Sequence, residues 1–411
     1  MIALPRAVPR PRLSAGALGL AALLVVAYGI VPRVGTSYLF EALLTPFLAL
    51  ALAGLGLNLL TGYAGLLSLG SAAFMAVGAY AAFNLSLRLP GLPLPAAILL
   101  AGLVSALAGL AAGLPALRLR GFYLAVSTLA VQFFVAWALN RIGWISNDSP
   151  SGIITAPRLV VAGLSFDDPR GRYLFSLSAV TLLTVLAWRL VIAPTGRNLV
   201  AIRDNETAAR LVGVKVARTK LLAFAVSSFV IGIAGVLWAF AYLRTVEPAG
   251  FNLDRSFQIL FIVIIGGLGT LRGAFLGAGF IVVLPLLLAR LGAALLGDGF
   301  DSGTLEMVQR IVLGALIVAV LIREPAGLAA LLDRAVAAVR RSDRLRRRTT
   351  RTPFADGQSA CPAQRPVIPG PRSGARDPEP PTGQVTAPPV VLDCPPPACP
   401  SGSGLACGAP D

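Results

Sequence analysis

Long apolar runs alternate with short polar segments from residue 13 to residue 322. A helix that crosses a bilayer needs about 20 mostly apolar residues. Residues 13–31 meet this without a charge; a cleaved signal peptide is the other reading, but no clear small-x-small cleavage site follows. Residues 42–87 contain no charged residue, which predicts two spans at 39–60 and 63–87. Further spans are predicted at 92–117, 122–140, 173–193 and 221–243. The run 256–290 is broken by Gly266, Gly267, Gly269 and Arg272 and reads as two short spans meeting near Arg272. A last span covers 304–322, with Glu306 and Arg310 spaced to pair. The pattern therefore predicts an all-α, polytopic transmembrane helix bundle: ten spans, or eight to nine if a glycine-broken segment is re-entrant.

Composition supports this reading. The chain has 411 residues, 56% hydrophobic and only 13% charged, against about 25% charged in ordinary globular proteins. It has no His, which removes Ser-His-Asp and Cys-His catalysis and every His-based metal site. The four Cys all lie between Cys361 and Cys407, outside the apolar body, and no metal site is expected. Lys215 and Lys220, the only lysines, do not follow a G-x-x-x-x-G pattern, so ATP hydrolysis through a P-loop is excluded. Few ionisable groups lie deep in a span, which argues against a self-powered ion-coupled carrier. No cofactor and no catalytic residue is expected.

The net charge of +16 first suggests nucleic acid. The basic residues instead sit between apolar runs, as membrane topology signals do, so a lipid environment and no nucleic acid is expected. Placing the N-terminus (1–12) in the cytoplasm puts Arg118, Arg120, the basic 194–220 segment and Arg272 on the same side. The acidic 142–172 loop then lies outside. The composition shifts sharply after residue 323: an Arg-rich stretch leads into a region holding 16 of the 31 prolines. The 324–411 tail is expected to be cytoplasmic and disordered, because such a composition buries too little apolar area to offset chain entropy. The body between, 13–323, is the expected transmembrane domain.

The segment 194–220 is amphipathic rather than simply polar. Leu199, Ile202, Ala209, Leu211 and Val212 can share a helix face, with Arg203, Asp204, Glu206 and Arg210 on the rest. Gly213 can end one short helix against the next, and Glu206 and Arg210 are spaced for an i,i+4 pair. On these grounds alone it is equally a plain connector. The glycine-rich stretch 62–78 also has two readings. Its small residues allow close helix packing, or a broken helix there opens backbone groups to a polar path. Asn58, Gly62, Gly65, Ser68, Gly70 and Ser71 are the candidate path residues, with Ser127, Thr128 and Gln132 weaker candidates.

Residues 206–213, ETAARLVG, resemble the coupling loop of ATP-binding-cassette importer permeases, E-A-A followed by three residues and G. Ala208, Ala209 and Gly213 keep the spacing, and Thr207 stands where the acid is usual. Four blocks extend the likeness: LNLLTGYAGLLSLGSAAFMAVGAY (57–80), LRGFYLAVSTLAV (119–131), AIRDNETAARLVGVKVARTKLLAFAVSSFVIGIAGVL (201–237) and GGLGTLRGAFLGA (266–278). Their order and spacing resemble the LivM-type permease of the branched-chain amino-acid transporter family over about residues 38–322. Ser71 stands where that family commonly has His. The resemblance implies a membrane permease subunit for branched-chain or other apolar amino acids, or for urea or short amides. The partners it implies are a sister permease, two cytoplasmic ATPases and a periplasmic or lipid-anchored binding protein, at a bacterial inner membrane. Glu206, Ala208, Ala209, Arg210, Leu211 and Gly213 would form the ATPase-coupling loop, with packing at Leu211, Val212 and Gly213 and weaker rim charges at Glu206 and Arg210.

Overall fold

The computed structural model describes residues 19 and 22–296, apart from 90, 120, 148–152, 156–159 and 162–163, together with parts of 307–334. Seven described helices are long and apolar enough to cross a membrane. After the short apolar helix α1 (Ala22–Val34), α2 runs over Leu39–Tyr63. Then come α3 (Ser71–Arg88), α4 (Leu94–Ala116), α5 (Phe122–Arg141) and α6 (Pro169–Ile192). Two short helices follow, α7 (Pro194–Asp204) and α8 (Glu206–Leu211). The last three are α9 (Val216–Leu243), α10 (Leu253–Gly266) and α11 (Leu271–Leu296). Prolines open α4, α6 and α7 within their first turn, where the missing N–H costs no helical bond.

Helices α2 and α9 form the centre. Of their apolar windows 83% and 72% are buried, against 28% for α5 and α6. α9 packs on α4, α3 and α2, and α2 also packs on α10 and α11. Small residues permit the approach: a Cβ on Gly78 would collide with the Gly232 carbonyl, and one on Gly235 with the Met75 carbonyl. Buried hydroxyls bond carbonyls across these contacts, Ser227 Oγ to Gly56 O (2.8 Å) and Ser105 Oγ to Ser228 O (2.8 Å). The outer faces are apolar too. Phe133, Phe134 and Trp137 on α5 and Leu182, Val185 and Leu186 on α6 are exposed, a surface suited to lipid or another helix.

Two expected span boundaries move. The predicted span 63–87 is helical only from Ser71, and 64–70 is non-helical. Gly65 adopts φ +69°, a left-handed conformation that ends α2. The break predicted near Arg272 falls slightly earlier, between Gly266 and Leu271. The loop before α6 is also shorter than expected. Arg172 lies inside α6, buried, with its guanidinium on Glu41 (2.5 Å) and the Ala241 carbonyl (3.3 Å). It ties the start of α6 to the start of α2 and the end of α9. Two-residue strands β1 (Ile154–Thr155) and β4 (Thr245–Val246) pair antiparallel, as do β2 (Val160–Val161) and β3 (Leu164–Ser165).

The N-terminal segment 1–12, the Glu306–Arg310 pair and the tail from 335 lie outside the described residues, as do most of the expected spans' ends at 13–18 and 304–306. Within the start of the expected tail, residues 327–332 are helical.

Candidate functional site

Every candidate residue is described, and together they fall into two neighbouring groups. The first is the tip formed by α7, α8 and Gly213. Asn205 breaks the helix between α7 and α8 with an extended backbone, and its Oδ1 accepts from the Thr207 and Ala208 N–H groups, both at 3.0 Å. This N-cap satisfies donors that a six-residue helix cannot pair internally. At the other end Gly213 takes φ +88°, and its N–H donates to Arg210 O (3.0 Å) while Val214 N–H returns to Ala209 O (3.0 Å). Ile202, Ala209 and Val216 are buried together against Val214 and anchor the tip.

The shared helix face predicted for this segment is corrected. Leu199, Ile202 and Ala209 face inward, but Leu211 and Val212 are each 85% exposed. The reason is local: α8 ends after six residues and the left-handed turn at Gly213 redirects the chain. The result is a pair of adjacent apolar side chains held out from a rigid base. The role expected for Glu206 also changes. Its Oε1 accepts from Arg210 (2.6 Å), as the i,i+4 spacing predicts, but its Oε2 accepts from Lys220 Nζ (3.0 Å) at the start of α9. The Lys220 side chain is 4% exposed. Glu206 therefore neutralises a buried cation and clamps α8 onto α9. Its 14-residue separation from Lys220 follows no helical period and could not be read from the sequence.

The second group lies where two helices are interrupted. At the end of α2, Asn58 Nδ2 donates to Thr270 O (2.8 Å) and Asn58 Oδ1 accepts from Gly269 N–H (2.9 Å). Asn58 thus bridges the break after α2 to the break between α10 and α11. Gly62 abuts Gly269, where no Cβ would fit. Beyond it, 64–70 runs without helical bonds yet Ala64, Leu66 and Ser68 are buried. Its donors are met by Leu60 O (3.1 Å to Leu66 N), Thr128 Oγ1 (2.9 Å to Leu69 N) and Ser68 Oγ (3.4 Å to Gly70 N). Buried irregular backbone at membrane depth is tolerated where protein or a polar cavity satisfies it.

Helix α3 then starts in a polar nest. Ala72 N–H donates to Ser256 Oγ (2.9 Å) and Ala73 N–H to Gln132 Oε1 (2.6 Å), while Gln132 Nε2 donates to Phe251 O (2.9 Å). Thr128 and Gln132 hence serve as side-chain caps for the broken segment. Ser127 is half-buried and takes no part in these bonds. Ser256 was not singled out by sequence; a serine three residues into an apolar helix carries no pattern of its own. Ser71 Oγ is fully buried and has no hydrogen-bond partner among the described residues.

A family model for the branched-chain amino acid transport system permease component matches residues 39–321. The chain belongs to this family. It is 36% identical over 298 residues to the high-affinity branched-chain amino acid transport system permease protein LivM of Salmonella typhimurium, covering 67% of this chain and 66% of that protein. LivM of Escherichia coli K12 gives 35% over the same length and shares. The autoinducer 2 import system permease protein LsrC of Enterobacter sp. is 31% identical over 206 residues, 48% of this chain and 57% of that one. The chain spans just under two thirds of the length of these LivM proteins. No solved structure matches it. Family membership and seven apolar spans make this a multi-pass membrane protein, and the matched stretch contains both residue groups described above.

Proposed function

We propose that the chain is the permease subunit of an ATP-driven importer for branched-chain or other apolar amino acids. The observation that carries this reading is the tip: two apolar side chains at 85% exposure, Leu211 and Val212, on a capped, clamped helix beside the bundle. An apolar pair on a rigid support suits insertion into a groove of a partner. Burying each side chain contributes about 1.5–3 kcal/mol. The partner is a pair of ATP-hydrolysing subunits, since this chain carries no P-loop of its own. Glu206, Ala208, Ala209, Arg210, Leu211 and Gly213 form the coupling element. Of these, Ala209 and Glu206 fix it in place, and Leu211 with neighbouring Val212 makes the contact.

The path runs past the interrupted helices, with Asn58, Gly62, Gly65, Ser68, Gly70 and Ser71 nearest to it. It is completed by a sister permease, and a periplasmic or lipid-anchored binding protein supplies substrate. The tip faces the cytoplasm of a bacterial inner membrane, with the N-terminus on the same side, in keeping with the basic residues of 194–220. The greater identity and coverage of the LivM relatives favour an apolar amino acid as substrate over the class named for LsrC.

Purification from native membranes, followed by reconstitution with the co-purifying subunits, tests this. The expected result is uptake of leucine, isoleucine or valine that needs ATP on the tip side and the binding protein on the other. Transport by the isolated chain without ATP would instead make it a self-contained carrier.

A further inference from the structure

The two residue groups are joined by one side chain, Arg203. It sits in the last turn of α7, two residues before the Asn205 cap of α8. Its Nη1 donates to the Gly62 carbonyl (2.8 Å), 141 positions away in the chain. Its Nε and Nη2 both donate to Asp204 Oδ1 (3.1 Å each), which fixes the plane of the guanidinium. Its aliphatic stem lies over Gly65, where a Cβ would come within 2.7 Å of Arg203 Cγ, and its Nη1 would lie 3.3 Å from a Cβ on Gly269. The same cation therefore caps the carbonyl end of α2, covers the left-handed turn that begins the extended 64–70 segment, and borders the break between α10 and α11.

We infer that Arg203 is the positioning residue that transmits movement of the tip to both interrupted helices. This rests on the importer reading above and adds to it the route by which motion arrives. Asn58 holds the two breaks to each other through the Gly269 N–H and the Thr270 carbonyl. Arg203 holds that pair to α7, and α7 continues through Asn205 into α8. A displacement of α8 is delivered to Gly62 directly, through the guanidinium bond, and to Gly269 through its close approach to Gly62 and its bond to Asn58. A lysine keeps the charge but cannot bond Asp204 and Gly62 at once through a planar fork.

The test uses the assembled transporter in proteoliposomes, with uptake and ATP hydrolysis measured in parallel. Arg203→Ala should retain the ATPase subunits and their hydrolysis but lower substrate moved per ATP by at least about fivefold, the scale of a typical coupling energy. Arg203→Lys should fall between it and wild type. Unchanged uptake per ATP in both Arg203 variants would overturn the inference. So would an equal fall in uptake, hydrolysis and subunit retention in Arg203→Lys, since that marks a purely structural role. If wild-type uptake itself proves independent of ATP, the importer reading fails first, and the variants are not what decides it.

Discussion

The tip and the interrupted helices solve opposite problems. At the tip the helix ends are capped locally, by Asn205 at one end and the Gly213 turn at the other, and the side chains of Leu211 and Val212 face outward. In the interrupted helices the side chains are spent on the backbone. Asn58, Thr128, Gln132 and Ser256 all accept from backbone N–H groups that lack helical partners. One region presents side chains on a closed backbone, and the other presents a backbone closed only by side chains. Substitutions of the exposed tip side chains, Leu211 and Val212, should therefore leave folding intact and remove binding. In the breaks they should loosen the fold itself.

The largest contrast is expected at the tip. Leu211→Asp with Val212→Asp should reduce retention of the ATPases by about two to three orders of magnitude, as for the loss of two hot-spot residues of about 2 kcal/mol each. Thermal stability of the chain should stay within about 0.5 kcal/mol, because both sites are exposed. Equal losses of stability and retention would collapse the distinction between the two regions.

Next comes Glu206→Ala, which leaves Lys220 buried without its acid. Removing one partner of a buried pair costs about 3–5 kcal/mol, and partial exposure of Glu206 lowers the expectation to about 2–3. Thermal unfolding in detergent measures it, and adding Lys220→Met should recover most of the loss.

Asn58→Ala should cost about 2 kcal/mol by stranding the Gly269 N–H, with ATPase retention preserved. The measurement is the unfolding midpoint beside co-purification, and a loss of retention without a loss of stability would contradict the assignment of Asn58 to the backbone. Gly213→Ala meets no neighbour within 4 Å, so only its φ of +88° opposes it. That costs about 1–2 kcal/mol, and Gly213→Asn should be milder than Gly213→Val in the same retention assay. The smallest effect is Ser71→Ala, which deletes a hydroxyl with no partner and should change stability by less than about 0.5 kcal/mol. A raised KM for uptake in that variant would place Ser71 beside the substrate.

How much of this was legible beforehand differs between the regions for physical reasons. Apolar runs of span length announced the bundle, and Gly213 announced the end of a short helix within 194–220. A broken helix was one of two readings of the glycine-rich 62–78 stretch, but the extent of the 64–70 break was hidden, because its residues are as apolar as a helix and nothing in hydropathy separates a buried extended chain from a buried helical one. The outward turn of Leu211 and Val212 was missed because helical periodicity assumes a helix longer than six residues. The bonds from Arg203 to Gly62 and from Lys220 to Glu206 join positions with no fixed spacing, so only the folded chain brings them together.

The claim that the tip docks an ATP-hydrolysing partner can be tested directly by placing a photo-crosslinking amino acid at Val212 in native membranes and identifying the adduct by mass. Docking through α8 predicts a cross-link to an ABC ATPase subunit, lost when Leu211→Asp is added. A cross-link only to lipid or to another copy of this chain would contradict it.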